Sequence, residues 1–221
     1  MQPANMKIYK LVIFDFDGTL ADSFPWFLKT INAVALRYHF KQIDPEQIDN
    51  LRALSGRELM AHLGIPWWKL PFVANAMRRS MKQQVGAIKP FAGVDKLLYD
   101  LHAAGIEIAI VTSNSQENVQ AVLTPDTLSI VSTLSCGAAM YGKQARFRQV
   151  LRKHGCSPAD ALSVGDEIRD AEASTASGID FLGVAWGFTK PEALQKHTNK
   201  MICNNFDELL AVAKGASHGG N

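Results

Sequence analysis

The chain has 221 residues, which allows one large domain or a core with one insert. Its composition, 47% hydrophobic and 20% charged, is ordinary for a globular protein, and a net charge of +2 gives no reason to expect nucleic acid or a membrane as a partner. No run approaches the ~20 apolar residues of a membrane span, and the N-terminus lacks the pattern of a signal peptide. The three cysteines have no metal-ligand spacing, so a reduced, cytoplasmic setting is expected.

The first predicted element is a strand over residues 11–14, which are apolar without interruption. Such a run is typical of a strand buried on both faces of a parallel sheet. Asp15 and Asp17 follow at its carboxyl end, where open α/β sheets bind their ligands. Two carboxylates so close repel each other unless a cation lies between them, and oxygen ligands suit Mg²⁺. Gly18 permits a sharp turn and a close approach to a ligand, although a polar turn after a core strand is the simpler alternative.

Residues from about 22 to 88 are predicted to be helical with no strand. Ser23 is a candidate helix cap, and apolar residues at helical spacing continue to about residue 38. Pro45 begins a second helix, a break follows at residues 55–56, and Pro66 opens a helix that runs to about residue 85.

From residue 89 onward, predicted helices and strands alternate. The strands are expected near 107–112, 129–133, 161–164, 181–185 and 201–204. The helices are expected near 94–105, 116–123, 143–154, 168–177 and 206–213. This alternation predicts an α/β fold, a doubly wound parallel sheet with helices on both faces.

Polar residues follow two of these strands. Thr112, Ser113 and Asn114 offer a hydroxyl and free backbone N–H groups at a helix start, which can hold a phosphoryl oxygen, although an ordinary helix cap has the same pattern. Asp166 and Asp170 are four residues apart and so share a helix face, from which both can point at one cation. The alternative is that these carboxylates only complement the helix dipole.

The Asp-x-Asp-Gly-Thr pattern at 15–19 resembles the first motif of the haloacid dehalogenase-like superfamily of hydrolases. Thr112, Lys143 and the Asp166-x-x-x-Asp170 pattern resemble its other three motifs, and the resemblance covers nearly the whole chain. Within the superfamily the chain resembles the phosphoglycolate-phosphatase-like branch. In that branch a proline usually follows the lysine, whereas here Gln144 follows it. The resemblance implies a Rossmann-like core of residues 1–21 and 89–214, an inserted helical cap domain at 22–88, and a disordered tail at 215–221.

The resemblance also implies roles for individual residues. Asp15 would be the nucleophile that forms an aspartyl-phosphate, and Asp17 the general acid and base. Thr112 would hold the transferring phosphoryl group, and Lys143 would stabilise it against the nucleophile. The implied phosphate-binding residues are Gly18, Thr19, Ser113 and Asn114. The implied Mg²⁺ ligands are Asp15, the Asp17 carbonyl, Asp166 and Asp170.

The expected function is Mg²⁺-dependent hydrolysis of a small phosphomonoester, either phosphoglycolate-like or a sugar phosphate. A metal-free dehalogenase is disfavoured because Asp17 is present. A sugar phosphomutase stays open, since residues 54–58 loosely resemble the cap loop of such enzymes, and so does a non-catalytic regulatory relative. Arg57 in that loop is a candidate to bind a second anionic group of the substrate. The identity of the substrate and the oligomeric state stay open.

Overall fold

The centre of the protein is a parallel five-stranded sheet. A computed structural model describes residues 7–137 and 142–215, so most of the tail predicted at 215–221 lies outside the described residues. The strand order is β3-β2-β1-β4-β5, and every pairing is parallel. The strands are β1 (Leu11–Phe14), β2 (Glu107–Val111), β3 (Thr133–Ser135), β4 (Ala161–Gly165) and β5 (Asp180–Gly183). The predicted fold class is confirmed.

Helices cover both faces of this sheet, and others lie in the segment between β1 and α5. In chain order the helices are α1 (Phe24–Tyr38), α2 (Ile48–Leu51), α3 (Gly56–His62), α4 (Leu70–Gln83), α5 (Val94–Ala103), α6 (Gln116–Val122), α7 (Pro125–Ser129), α8 (Lys143–Lys153), α9 (Ile168–Thr175), α10 (Pro191–Leu194) and α11 (Phe206–Ala213). Val12 and Phe14 pack on one face with α5, α6 and α11, whereas Leu11 and Ile13 pack on the other with α8. Alternate side chains of β1 therefore enter two different cores, which explains its unbroken apolar sequence.

One predicted strand is displaced, and another is only a bridge. The segment predicted at 129–133 begins with the end of α7, and β3 starts only at Thr133. Thr124 caps α7 and Pro125 opens it, so the apolar residues that follow reach the core from a helix and a turn. The segment predicted at 201–204 forms a single bridge between Cys203 and Val184, because Asn205 already caps α11. A short apolar run cannot distinguish these cases by its periodicity.

The chain between β1 and α5 is helical, as predicted. Residues 22–88 are all described, and they contain α1–α4 and short 3₁₀ turns without a strand. They have a hydrophobic cluster of their own that includes Ile31, Leu63 and Val73. The division into core and cap domains stays a prediction; below, "cap" denotes residues 22–88. In the described part of the chain, no helix has the length and apolar character needed to cross a membrane.

Candidate active site

Three carboxylates meet at the carboxyl edge of the sheet. Asp15 follows β1, Asp166 follows β4, and Asp170 lies in the first turn of α9. All three are buried, and one carboxylate oxygen of each lies within 4.8 Å of the others. Parallel strands place their carboxyl ends at one edge of a sheet, so residues far apart in sequence converge here.

A buried lysine lies among these carboxylates. Lys143 opens α8 and is 5% exposed. Its Nζ lies 2.8 Å from Asp15 Oδ1 and 2.5 Å from Asp170 Oδ1. Burial alone would lower the pKa of Lys143, but these two carboxylates outweigh it and raise the pKa, so the ammonium form is favoured. Lys143 compensates only one of the three negative charges.

The remaining charge fits a divalent cation. The second oxygen of Asp15, Oδ2, is buried and has no hydrogen-bond partner within the described residues. Burial raises the pKa of Asp15 to about 7 against the opposing effect of Lys143, and burial also raises the pKa of Asp166 well above its usual value. A magnesium ion would neutralise the two uncompensated charges and satisfy the unpaired oxygen. Asp15, Asp166 and Asp170 would hold it; a contribution from the Asp17 carbonyl stays a prediction.

The Asp166 carboxylate is fixed from two sides. Its Oδ1 accepts a hydrogen bond from Thr19 Oγ1 and its Oδ2 accepts one from the backbone N–H of Phe188, both at 2.7 Å. A Cβ atom at Gly187 would lie 2.1 Å from Asp166 Cβ, and one at Gly18, where φ is +75°, would lie 2.3 Å from Asp166 Oδ2. Side chains at these glycines would displace the carboxylate. Thr19, predicted to bind phosphate, therefore contacts Asp166.

Asp17 has a separate set of contacts. Asn114 Nδ2 donates to Asp17 Oδ2 at 2.9 Å. The other end of this amide, Asn114 Oδ1, accepts from the Ser115 N–H and from Asn118 Nδ2, both at 2.8 Å, which turns the NH₂ group toward Asp17. Burial raises the pKa of Asp17 despite this hydrogen bond, as suits a group that donates a proton. Asn114, predicted to bind phosphate, orients the predicted acid.

The loop after β2 also contacts the cap. Thr112 is buried, and its Oγ1 accepts from the Asn114 N–H at 3.0 Å, so its hydroxyl hydrogen is available to a ligand. The carbonyl of Ser113 accepts from Arg78 Nη1 in α4 at 3.2 Å. In return, Asn118 Nδ2 donates to the Arg78 carbonyl at 3.1 Å. The predicted phosphoryl-binding loop is therefore attached to a cap helix.

A second attachment lies on the other side, at the loop after β5. Arg52, at the end of α2, donates from Nε to the Phe188 carbonyl and from Nη2 to the Gly187 carbonyl, both at 3.0 Å. Its guanidinium also lies over the Phe24 ring, 5.1 Å from the centroid. The Phe188 ring packs edge-on against Phe24 and Phe27, with centroids 5.0 and 5.3 Å apart. The loop that orients Asp166 thus depends on contacts with the cap.

Sequence reasoning missed these cap contacts. Arg52 and Arg78 look like surface charges in the sequence, and no local pattern marks partners that are up to 136 residues away. Sequence reasoning also missed the ion pair between Arg169 and Glu167, in which Arg169 Nη2 lies 2.5 Å from Glu167 Oε1. Arg57, the predicted substrate-binding residue, is exposed on α3 and does not line the cavity beside the catalytic loops. Its predicted role stays a prediction.

The comparisons with known proteins agree with this architecture. Residues 12–184 match the family described as haloacid dehalogenase-like hydrolase. The phosphoglycolate phosphatase of Synechococcus elongatus is 33% identical over 83% of this chain and 87% of its own length. The tyrosine-protein kinase PtkA of Mycobacterium tuberculosis is 27% identical over 90% of this chain and 71% of its own length. A solved structure of a putative phosphoglycolate phosphatase from Lactobacillus plantarum superposes with a TM-score of 0.78 at 21% identity, covering 93% of this chain and 99% of that one.

A parallel sheet that ends in buried carboxylates and a buried lysine, together with the family match and the phosphoglycolate phosphatase relative, supports a hydrolase of the phosphatase class. The chain belongs to the haloacid dehalogenase-like hydrolases. Within that family it falls in the phosphoglycolate-phosphatase-like branch, so the predicted family and enzyme class are confirmed.

Proposed function

We propose that this protein is a Mg²⁺-dependent phosphatase that hydrolyses a small phosphomonoester through an aspartyl-phosphate on Asp15. The observation that carries the proposal is the contact of Asp15 with Lys143, beside a separately oriented Asp17. A nucleophile and a proton donor held by different partners can perform different steps of one reaction. The S. elongatus relative, named a phosphoglycolate phosphatase, supports the same reaction class.

In the first step Asp15 attacks phosphorus and the bond to the leaving oxygen breaks. Asp17 donates its proton to that oxygen, and the phosphoryl group stays on Asp15. Asp17 is then a carboxylate and takes a proton from water, which attacks phosphorus, releases phosphate and restores Asp15. Thr112 and Lys143 stabilise charge on the phosphoryl oxygens. Mg²⁺ bound at Asp15 and its neighbouring carboxylates would supply further charge neutralisation.

A sugar phosphomutase is the second candidate, and it rests on residues 54–58. In the structure Ser55 and Glu58 form a capping box that begins α3. This local role explains the sequence of the loop without a ligand. The phosphatase is therefore the better supported function. A small phosphorylated metabolite as substrate and a cytoplasmic location belong to this proposal.

The test is phosphate release from p-nitrophenyl phosphate and from a panel of phosphorylated metabolites, with Mg²⁺ present. Asp15→Asn keeps the side-chain shape and removes the charge that attacks phosphorus, so turnover should fall by at least about a thousandfold while circular dichroism stays unchanged. Activity of this variant within about tenfold of the wild type would refute the aspartyl-phosphate. Isomerised sugar phosphate without phosphate release would favour the mutase, and label transfer from ATP to protein would favour a kinase.

A further inference from the structure

The loops that follow β1 and β2 adjoin a cavity that extends under the cap. Asp17, Ser113 and Asn114 line it on the catalytic side, and α1, α3 and α4 line it on the cap side. Its volume is about 220 Å³, far above the roughly 10–15 Å³ that one water molecule requires. An organic group joined to a phosphoryl group at Asp15 and Asp17 can therefore extend into this cavity.

The cap side of the cavity is apolar. It includes Trp26, Phe27 and Ile31 of α1, Leu59 and Met60 of α3, and Met77 of α4. Groups of this kind favour an apolar ligand, since each buried CH₂ group contributes about 0.8 kcal/mol, or about fourfold in affinity.

Two cations line the cavity, Arg78 and Arg169. Arg78 donates to the neutral carbonyl of Ser113, and Arg169 is paired with Glu167, while its Nε has no hydrogen-bond partner within the described residues. A second anionic group on the substrate would lose its water on entering the apolar region, and the surrounding Leu, Ile, Met and Phe side chains could not compensate it. The apolar region formed by α1, α3 and the Met77 side of α4, away from these two arginines, thus disfavours a carboxylate or a second phosphate.

Polar groups interrupt the apolar wall, and one of them is the indole N–H of Trp26 in α1. Trp26 is 8% exposed and lines the cavity, yet its Nε1 has no hydrogen-bond acceptor within the residues that the structure describes. A buried donor without a partner costs free energy, which an acceptor on a ligand would recover.

We propose that the substrate is a phosphomonoester whose organic part is an apolar ring or chain with one hydrogen-bond acceptor for Trp26. This rests on the proposed phosphatase function and narrows its substrate class. It differs from a preference for phosphoglycolate or a sugar bisphosphate, because those molecules carry a second anion that the apolar side chains of α1 and α3 would leave uncompensated.

The first experiment measures binding of methyl-, butyl-, hexyl- and octylphosphonate by calorimetry, and their competition with p-nitrophenyl phosphate. The dissociation constant should fall about three- to fourfold for each added methylene until the cavity is full. Equal affinity across the series, or tighter binding of phosphonoacetate than of hexylphosphonate, would overturn the proposal. Chain-length-dependent binding by a protein that hydrolyses no phosphomonoester would refute only the phosphatase, so the two failures are distinguishable.

A pair of variants tests the position of the apolar group. Ala74 lies in α4 and lines the cavity, whereas Ala61 is exposed on α3. Ala74→Phe should weaken hexylphosphonate binding by about tenfold or more and leave methylphosphonate within about twofold, because it fills space that only the longer chain needs. Ala61→Phe should change neither. Equal binding of hexylphosphonate by both variants would overturn the proposal, and the wild-type series decides it if Ala74→Phe does not fold.

Trp26→Phe tests the polar contact. It keeps an aromatic ring and removes the N–H group. It should weaken an arylphosphonate that carries a ketone by about tenfold relative to the matched arylphosphonate without one. Equal effects on both compounds would show that Trp26 donates no hydrogen bond to the ligand and would overturn this part of the proposal.

Discussion

The hydrogen bond from Thr19 to Asp166 offers a specific test of the proposed metal site. Thr19 is 1% exposed, and its Oγ1 lies 2.7 Å from Asp166 Oδ1. Thr19→Val has nearly the same shape and lacks the hydroxyl, so it leaves this oxygen of Asp166 without its donor. Thr19→Ser keeps the hydroxyl and is the matched control. We expect Thr19→Val to impair Mg²⁺ binding and Thr19→Ser to retain most of it.

The size of the effect follows from the contact. A hydrogen bond to a charged group contributes roughly 1.5–3 kcal/mol, and its loss leaves a buried oxygen unsatisfied. Residues that orient a metal ligand typically change metal affinity by about 10–100-fold, which is the same range of free energy. The Phe188 N–H still holds the other oxygen of Asp166, so the carboxylate should keep part of its orientation. We therefore expect about a tenfold to thirtyfold increase in the Mg²⁺ concentration for half-maximal activity.

The assay is phosphate release from p-nitrophenyl phosphate over a Mg²⁺ titration at saturating substrate. The urea midpoint should be recorded for each variant, because loss of a buried hydrogen bond also lowers the free energy of unfolding. A Thr19→Val protein whose Mg²⁺ dependence stays within about twofold of the wild type would refute Asp166 as a ligand oriented by Thr19. If Thr19→Ser is equally impaired, packing of the methyl group is the cause.

Other measurements address the metal, the cap and the close contacts around Asp166. EDTA should abolish phosphate release reversibly, and Ca²⁺ should restore it poorly because its coordination is larger and looser; full activity after complete metal removal would contradict the proposed mechanism. Arg52→Ala should lower the free energy of unfolding by about 1–3 kcal/mol in urea titrations, and Arg52→Lys should recover little, because an ammonium cannot reproduce the two-point contact; a loss below ~0.3 kcal/mol would contradict this. Gly187→Ala should cost about 1–3 kcal/mol by overpacking against Asp166, whereas Gly86→Ala, with no atom within 4 Å of its added Cβ, should cost far less; equal losses would show that the close approach is unimportant.

The sequence allows the convergence of Asp15, Asp166 and Asp170 to be predicted, because each of them follows the end of a strand by one to five residues; their catalytic roles stay a prediction. Asp15 and Asp166 each follow an apolar strand directly, and parallel pairing of β1 with β4 places both at one edge. The hydrogen-bond partners of these carboxylates cannot be predicted from the sequence in the same way. Thr19 and Asn114 donate to Asp166 and Asp17 in the structure, and their phosphate-binding role stays a prediction. A hydroxyl or amide near a phosphate site has several possible partners, and only the three-dimensional arrangement selects among them.

The fold was predicted except where short apolar segments suit more than one structure. The segments near residues 130 and 203 are such cases: one ends a helix before β3, and the other forms one bridge to β5. The contacts of the cap escaped prediction for another reason. Arg52 and Phe188 are 136 residues apart, and nothing near either one indicates the other. Such contacts depend on how the helical insert lies over the sheet, which periodicity does not specify.

The two attachments of the cap connect its position to the orientation of Asp166 and Asp17. Arg52 bonds to the loop whose Phe188 N–H holds Asp166, and Arg78 bonds to the loop whose Asn114 holds Asp17. Displacement of the cap would break these bonds and leave both carboxylates less firmly oriented. The orientation of two groups on the sheet is therefore set in part by where the helical insert lies over it.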